Sequence, residues 1–189
     1  MLRLTVNIII SCGLLIGIRG QKMLGAGKWT VLSTQQCVKD AEMAWTLRVR
    51  RHKINRTHDA FDLDVNLGDD LDDSCAIRFD ICMMVDGGCK PYMVMADDCL
   101  PNYVKRYAEE NVKMILASAG VDPPDFPVKK GSLHLKDYVM NMEEMAKDGV
   151  YGTFEVEAFI LKDAQELACI KVTLKYEPED DYGSMGAYA

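Results

Sequence analysis

The segment 126–176 constrains the fold most, because apolar and polar side chains alternate through long parts of it. In 151–161 and again in 167–176, nearly every second residue along the chain is apolar. In a strand, these apolar residues would all lie on one face. This two-residue period is typical of β-strands with one buried face. The polar residues 162–165 supply a turn between the two runs. The segment therefore predicts two long neighbouring strands, with a shorter strand before them at 132–136.

The same alternation recurs upstream, at 28–32, 42–50, 58–67, 76–85 and 92–95. Asp86, Gly87 and Gly88 predict a tight hairpin turn between the last two runs, because glycine readily adopts the positive φ angles of such turns. From 101 to 118 the apolar spacing changes to three or four residues, which predicts one amphipathic helix. About eight strands and one helix predict an all-β fold, a two-sheet β-sandwich or β-cup.

The first twenty residues have the features of a secretory signal peptide. Arg3 gives a positive start, an apolar run extends to Ile18, and Gly20 is a small residue at a cleavage point. The apolar run is short for a membrane span, although an uncleaved anchor is the alternative interpretation. We therefore expect a signal peptide at 1–20, one domain at 21–176 and an acidic disordered tail at 177–189.

The cysteine content agrees with secretion. Of the seven cysteines, Cys12 lies in the leader, and an even number remains for disulfide bonds in an oxidising compartment. Asn55 begins an Asn-Arg-Thr acceptor sequence for glycosylation. The remaining cysteines, all predicted to be disulfide-bonded, are Cys37, Cys75, Cys82, Cys89, Cys99 and Cys169.

Net charge argues against a nucleic-acid partner. The formal net charge is -7, and removal of a leader that contains Arg3 and Arg19 would make it -9. Proteins that bind nucleic acid neutralise phosphates with clustered basic side chains, and no basic stripe is present in the sequence.

The inventory of reactive side chains argues against an enzyme. The chain has three histidines, no Gly-x-Ser-x-Gly nucleophile motif and no phosphate-binding loop. Asp69, Asp70, Asp72 and Asp73 are clustered, but the spacing and the closing glutamate of a calcium-binding EF-hand are absent. We expect these aspartates to form a solvated turn. No catalytic residue, metal or cofactor is predicted.

Methionine is the most informative residue type. Eight methionines lie between Met83 and Met145, and methionine is a flexible side chain that suits surfaces contacting variable apolar ligands. Three of them, Met140, Met142 and Met145, lie in a segment without strand periodicity, next to Tyr138 and Val139. We interpret this segment as the lip of a cavity or a membrane-contacting loop. Core filling is the alternative for the others.

The closing pattern of the chain resembles that of the ML lipid-recognition superfamily, in particular its ganglioside-activator-like proteins. The resemblance rests on Pro127-Val128-Lys129-Lys130-Gly131, a glycine at 149 or 152 before a long strand, and Cys169-Ile170-Lys171 on the last strand. It covers the last third of the chain well and the remainder in layout only. One departure is Phe126, which stands where the family has a cysteine.

The resemblance implies a secreted cup that admits acyl chains between its sheets, and a bond between Cys37 and Cys169. Pairing among the other four cysteines stays open. The hairpin near Gly87 brings Cys75 opposite Cys99, whereas the family spacing favours Cys75 with Cys82. The family also includes an insect chemosensory branch, the CheB proteins. This chain has fewer cysteines than the family pattern, as would suit a divergent branch of this kind.

Three functions follow as hypotheses. The first is a secreted lipid-binding protein that extracts, carries or presents a lipid, with transient membrane contact and a hydrolase as partner, outside the cell or in the lysosomal lumen. The second is a chemosensory ligand-binding protein that acts on a receptor. The third is a packed extracellular interaction domain. The predicted lipid-binding residues are Phe79, Ile81, Met83, Met93, Met95, Tyr138, Val139, Met140, Met142, Met145, Phe154, Val156, Ile170 and Val172.

Overall fold

The computed structural model describes residues 23–38, 43–55 and 59–179. The predicted signal peptide, His58, the Arg-Thr part of the acceptor sequence and residues 180–189 lie outside these ranges. The strands are β1 (Leu24–Gln36), β2 (Thr46–Lys53), β3 (Asp59–Leu67), β4 (Cys75–Val85), β5 (Gly88–Asp97), β6 (Gly131–Tyr138), β7 (Asp148–Val150), β8 (Gly152–Lys162) and β9 (Gln165–Pro178). The helices are α1 (Leu100–Tyr107) and α2 (Glu109–Ser118), and Met142–Glu144 form a 3₁₀ turn.

The strands form two antiparallel sheets, which confirms the predicted all-β cup. The large sheet has the order β5-β4-β8-β9-β1-β7, and the small sheet has the order β2-β3-β6. Strand β2 lies close to β1 and β9, so the sheets converge on that side of the molecule. On the other side the edge strands β5 and β6 are apart, and the two helices connect them, since α1 contacts β4 and β5 and α2 contacts β6.

Cross-strand register puts the predicted apolar positions on one face of the large sheet. Phe79 of β4 is opposite Ala158 of β8, which is opposite Ile170 of β9. Directly opposite residues share a face, and successive residues along a strand alternate between faces. The face that carries these residues points toward the small sheet, and we call it the inner face.

One end of the cup is filled by a buried core that the helices help to form. Trp45 and Val128 are each 1% exposed and Cys75 is fully buried. Leu100 of α1 and Leu116 of α2 pack into the same cluster, and inner-face residues such as Ile77 and Val65 pack against it. We call this the closed end. Burial of several large apolar side chains here is the main source of stability for the helical cover.

The prediction of a single helix at 101–118 was wrong in one respect. The helix is interrupted at Ala108 (φ −152°, ψ 27°), which separates α1 from α2. A distant side chain stabilises this interruption. The carboxylate of Glu144 accepts hydrogen bonds from the backbone N–H groups of Glu110 (2.8 Å) and Asn111 (2.9 Å). These N–H groups would otherwise bond to carbonyl groups one turn earlier in a continuous helix. A tertiary N-cap of this kind leaves no local sequence signal.

Two disulfide bonds join cysteines within the described ranges, Cys37–Cys169 and Cys82–Cys89. The first joins β9 to the residue after β1, as the resemblance implied. The second excludes a bond between Cys75 and Cys82. Cys75 and Cys99 are not bonded in this structure, so for these two the expectation that all six cysteines form disulfides stays a prediction.

The two strands at the ends of the large sheet, β5 and β7, are irregular or short. β5 contains Pro91 and pairs with β4 through an irregularity between Ile81 and Cys82, whereas the opposite edge, β7, is three residues long. Other bounds differ from the prediction. β1 is longer than 28–32, β7 was not predicted, and β9 continues through Glu177 and Pro178, which were assigned to the tail. Within the described ranges, no helix has the length and apolar character needed to span a membrane.

Candidate functional site

The middle of the inner surface is apolar and only partly covered. At the closed end and at the opposite end, inner-face residues are buried, as shown by Ala168 (1% exposed) and Tyr176 (1%). Between them, apolar side chains of both sheets retain accessible surface although they point toward the other sheet. We call this region the cleft. Its half-buried residues are Phe79, Ile81, Val156, Ala158, Ile170 and Val172 from the large sheet and Val49 and Leu63 from the small sheet.

Aromatic rings fill the end of the cup opposite the closed end. Trp29 lies 4.7 Å from Tyr176 and 6.0 Å from Phe154, measured between ring centroids. Phe154 and Tyr176 are buried. The hydroxyl oxygen of Tyr176 lies within hydrogen-bonding distance of the carbonyl oxygens of Gly25 (3.0 Å) and Lys147 (2.6 Å), which share its single proton. We call this the aromatic end, and these bonds connect it to the segment that follows β6.

The segment 139–147, which we call the loop, is held by a network around Asn111. This side chain is 7% exposed, and its amide nitrogen donates to the carbonyl oxygen of Asn141 (2.9 Å) and the carboxylate of Glu144 (2.6 Å). Its amide oxygen accepts from the N–H of Asn141 (2.8 Å) and from the Tyr138 hydroxyl. Because Asn111 belongs to α2, the network fixes the loop to the helical cover.

The loop covers a pocket at the aromatic end. The pocket has a volume of about 240 Å³ and is lined on the sheet side by Trp29, Val31 and Phe61. Met140 and Met142 line it from the loop side, together with Val139, which is 44% exposed. The methionines of the loop are thus half-buried against the cup, and their contact with a membrane stays a prediction.

The open side of the cup exposes apolar residues of β5. Met93 is 46% exposed, although it lies opposite the inner-face residue Ile81. Tyr103 of α1 is close to the same side, with its ring 5.2 Å from that of Phe79. Burial raises the pKa of the Tyr103 hydroxyl, and the nearby charges of Tyr107 and Asp97 act in the same direction. This hydroxyl is therefore a neutral hydrogen-bonding group beside the cleft.

Charge is confined to the margins and the outer surface. The named cleft residues carry no ionisable group. At the aromatic end Arg51 and Asp59 neutralise each other at 2.7 Å. On the outer face Lys171 contacts Glu155 (2.9 Å) and Glu157 (3.0 Å), and the hydrogen bonds that its ammonium group donates to these carboxylates raise the pKa of Lys171. The cleft thus suits an apolar chain and offers no charge to bind an anionic headgroup.

The sequence-predicted site residues fall into three groups. On the inner face of the large sheet lie Phe79, Ile81, Met83, Met93, Met95, Phe154, Val156, Ile170 and Val172. At the loop lie Val139, Met140, Met142 and Met145. Tyr138 is 5% exposed and bonds to Asn111, so it supports the loop from inside and is not part of a lip.

Sequence reasoning missed the residues that close the aromatic end and hold the loop. Trp29 and Tyr176 each belong to a strand that the sequence predicted. The contact between their rings depends on the pairing of β1 with β9, which the sequence did not predict. Glu144 appeared to interrupt an apolar segment, and its role depends on α2. Only the three-dimensional arrangement identifies these contacts.

Polar clusters outside the cleft are surface features of the small sheet and its turns. His134 is 2.8 Å from Asp64, and this hydrogen bond is the main cause of the lowered pKa of Asp64. A potential metal-binding group consists of His52, Asp62 and Asp137, whose ligand atoms lie within 4.8 Å of one another. His52 already contacts Asp137 at 2.8 Å, and all three side chains lie on the partly exposed outer side of the sheet.

The chain matches no protein-family profile and no curated protein. Twelve chains of solved structures match it. One is the crystal structure of chicken MD-1 complexed with lipid IVa, with a TM-score of 0.36, 12% sequence identity, and coverage of 79% of this chain and 98% of that chain.

Proposed function

We propose that this protein is a secreted, non-enzymatic lipid-binding protein that holds an uncharged acyl chain or similar amphiphile in the cleft. One observation carries the proposal. Apolar residues of both sheets face each other but remain half-exposed, between two ends that are buried. A packed interaction domain would bury this middle region as fully as its ends, because apolar contact there would contribute about 25 cal/mol per Å².

The cleft can supply the affinity without a charged contact. Each methylene transferred from water to an apolar site contributes about 0.8 kcal/mol. Ten methylenes would contribute about 8 kcal/mol before the cost of ordering the ligand, which is of the order needed for micromolar binding. A ligand headgroup would remain at the open side near Tyr103, where a neutral hydroxyl or ester can form a hydrogen bond.

The finer roles are part of the same proposal. Uptake from a membrane requires transient contact with its surface, and the loop with its exposed Val139 is the segment we assign to that contact. A carrier of this type would extract a lipid and present it to a hydrolase. Action on a receptor remains the hypothesis drawn from sequence, and the cleft alone favours neither route.

The first experiment is native mass spectrometry of protein secreted from eukaryotic cells, with organic extraction and identification of any bound molecule. We expect a stoichiometric lipid that lacks a net charge. Delipidated protein should then bind a long-chain alcohol or ester more tightly than an anionic phospholipid. A protein that is ligand-free when isolated and takes up neither compound would contradict the proposal.

Ala158→Phe tests the position of the ligand. Ala158 faces the cleft between Phe79 and Ile170, so a phenyl group would occupy space that an acyl chain needs. We expect at least a tenfold loss of affinity for the extracted lipid, measured by fluorescence displacement. The matched control is Ala96→Phe, on the exposed outer face opposite Arg78, where affinity should be unchanged. Equal effects of the two substitutions would place the ligand elsewhere.

A further inference from the structure

The two unbonded cysteines lie at the same end of the paired strands β4 and β5, Cys75 at the first residue of β4 and Cys99 two residues after the end of β5. β4 and β5 pair with Ile77 opposite Asp97. When this antiparallel register is continued by two residues on each strand, Cys75 is opposite Cys99. Cys99 retains extended backbone angles (φ −132°, ψ 100°), so the chain has not yet turned into α1 at this residue. Directly opposite residues have Cα atoms about 4.5–5.5 Å apart, within the range that a disulfide spans.

The surroundings of the two sulfur atoms agree with this placement. The Sγ of Cys75 lies 3.9 Å from the carbonyl oxygen of Asp70, and the Sγ of Cys99 lies 3.9 Å from a carboxylate oxygen of Asp73. Both sulfurs therefore lie beneath the same short turn before β4. The other four cysteines in the described part of the chain are already bonded in two pairs, so Cys75 and Cys99 are the two described cysteines that remain to pair.

We propose that Cys75 and Cys99 form a third disulfide, which fastens the beginning of α1 to β4. Leu100, the first residue of α1, packs into the same core cluster as Cys75. Tyr103, one turn later, contacts Phe79 on the wall of the cleft. The bond fixes the helical cover relative to that wall. This inference does not depend on the identity of any ligand.

Burial determines the order of the reaction. Cys75 is fully buried, whereas Cys99 is partly exposed, so an external oxidant reaches Cys99 first. The Cys99 thiolate attacks one sulfur of a small disulfide such as glutathione disulfide, forms a mixed disulfide and releases one glutathione thiolate. The Cys75 thiolate then attacks the Sγ of Cys99 and releases the second. Two protein thiols are oxidised, and the two glutathione thiolates take up the two protons.

Peptide mapping tests the bond in the natural chain. Protein produced through the secretory pathway is alkylated in denaturant without reduction and digested with a protease that cleaves before aspartate. The four cysteines then fall in separate peptides, 73–79, 80–85, 86–96 and 98–121. We expect 73–79 to be joined to 98–121, and 80–85 to 86–96. Recovery of 73–79 and 98–121 as separate alkylated peptides, or of 73–79 joined to another partner, would overturn the proposal.

Two single variants test the order and the anchoring role. Folded Cys75→Ser exposed to glutathione disulfide should acquire one glutathione on Cys99, whereas folded Cys99→Ser should acquire none on Cys75. Glutathione adducts in equal amounts on the two variants would refute the proposed order, in which Cys99 reacts before Cys75. Backbone hydrogen exchange in 100–107 should be faster in Cys99→Ser than in the unchanged protein, and unchanged exchange would refute the anchoring role. If either variant fails to fold, peptide mapping of the unchanged protein still tests the bond between Cys75 and Cys99.

Discussion

Among single residues, Asn111 shows how a buried polar side chain can specify a structure. Both ends of its amide are satisfied, by Tyr138, Asn141 and Glu144. A buried polar group is costly when it loses its partners, because its desolvation is no longer compensated. The network therefore admits one arrangement of the loop relative to α2. A hydrophobic residue of the same size would fill the space without fixing that arrangement.

Asp70 is the residue for which pH dependence is most direct. The hydrogen bond from Lys129, followed by that from the backbone N–H of Lys130, lowers the pKa of Asp70. A carboxyl group with a lowered pKa stabilises the fold above its unfolded pKa, near 4, and this contribution is lost as pH falls through the folded pKa. Asp70→Asn should lower the melting temperature at pH 6, and the difference should decrease below about pH 4.

The control for this prediction is Asp69→Asn, because Asp69 is the exposed neighbour in the same turn. We expect it to change the melting temperature little at either pH. Thermal unfolding followed by circular dichroism between pH 3 and pH 7 measures both variants. A deficit in Asp70→Asn that stays constant with pH would show that its carboxylate makes no ionised contact.

At the scale of elements, the loop and α2 depend on each other. Glu144 accepts from the first free N–H groups of α2, so it acts as the helix N-cap from a distant part of the chain. An N-cap contributes about 1 kcal/mol, and a negative charge at a helix N-terminus adds a few tenths to this. Glu144→Ala should therefore reduce the free energy of unfolding by about 1–2 kcal/mol and increase hydrogen exchange in 139–147.

Glu143 provides a matched comparison, because it lies in the same 3₁₀ turn and pairs with Lys147 at the surface. Solvent and salt screen an exposed ion pair, so Glu143→Ala should change the free energy of unfolding much less than Glu144→Ala does. Urea unfolding measures both variants. Similar losses in the two would show that the turn, and not the cap, is what stabilises this region.

Elements with strong local patterns were predictable, and those that depend on distant partners were not. Alternation placed β8 and β9 close to their observed positions because a strand with one buried face has a fixed period. The apolar spacing at 101–118 also predicted a helix, but not its interruption at Ala108, after which Glu144 caps α2. β7 has three residues and pairs with β1, so no run was long enough to show a period.

For the site, the sequence predicted which face of the large sheet is apolar. In a strand, residues two apart lie on the same face, so the period of the apolar residues also identifies the apolar face. It did not predict where that face is filled and where it is open. Ala168 and Ile170 share the inner face of β9, yet the first is buried by the helices and Trp45 while the second lies in the cleft. That difference depends on the positions of other elements, which no local pattern contains.

The whole molecule has an accessible apolar surface that a ligand would cover. Binding to the folded state alone raises stability, by about 2.7 kcal/mol at a ligand concentration one hundred times Kd. For a domain of this size, the melting temperature should rise by about 5–10 °C. Scanning calorimetry with the lipid extracted from the secreted protein measures this rise. Ala158→Phe should show a much smaller rise at the same lipid concentration, and an equal rise would indicate binding outside the cleft.

A cup that stays open must also remain separate from neighbouring molecules in a concentrated solution. The outermost strands of a sheet are where chains tend to add to one another and start fibrils. Pro91 has no N–H group to offer an incoming strand, and the irregular pairing beside it disturbs a flat edge. The β5 edge of the large sheet thus resists the addition of a further strand, which helps the chain to keep an apolar interior accessible at high concentration.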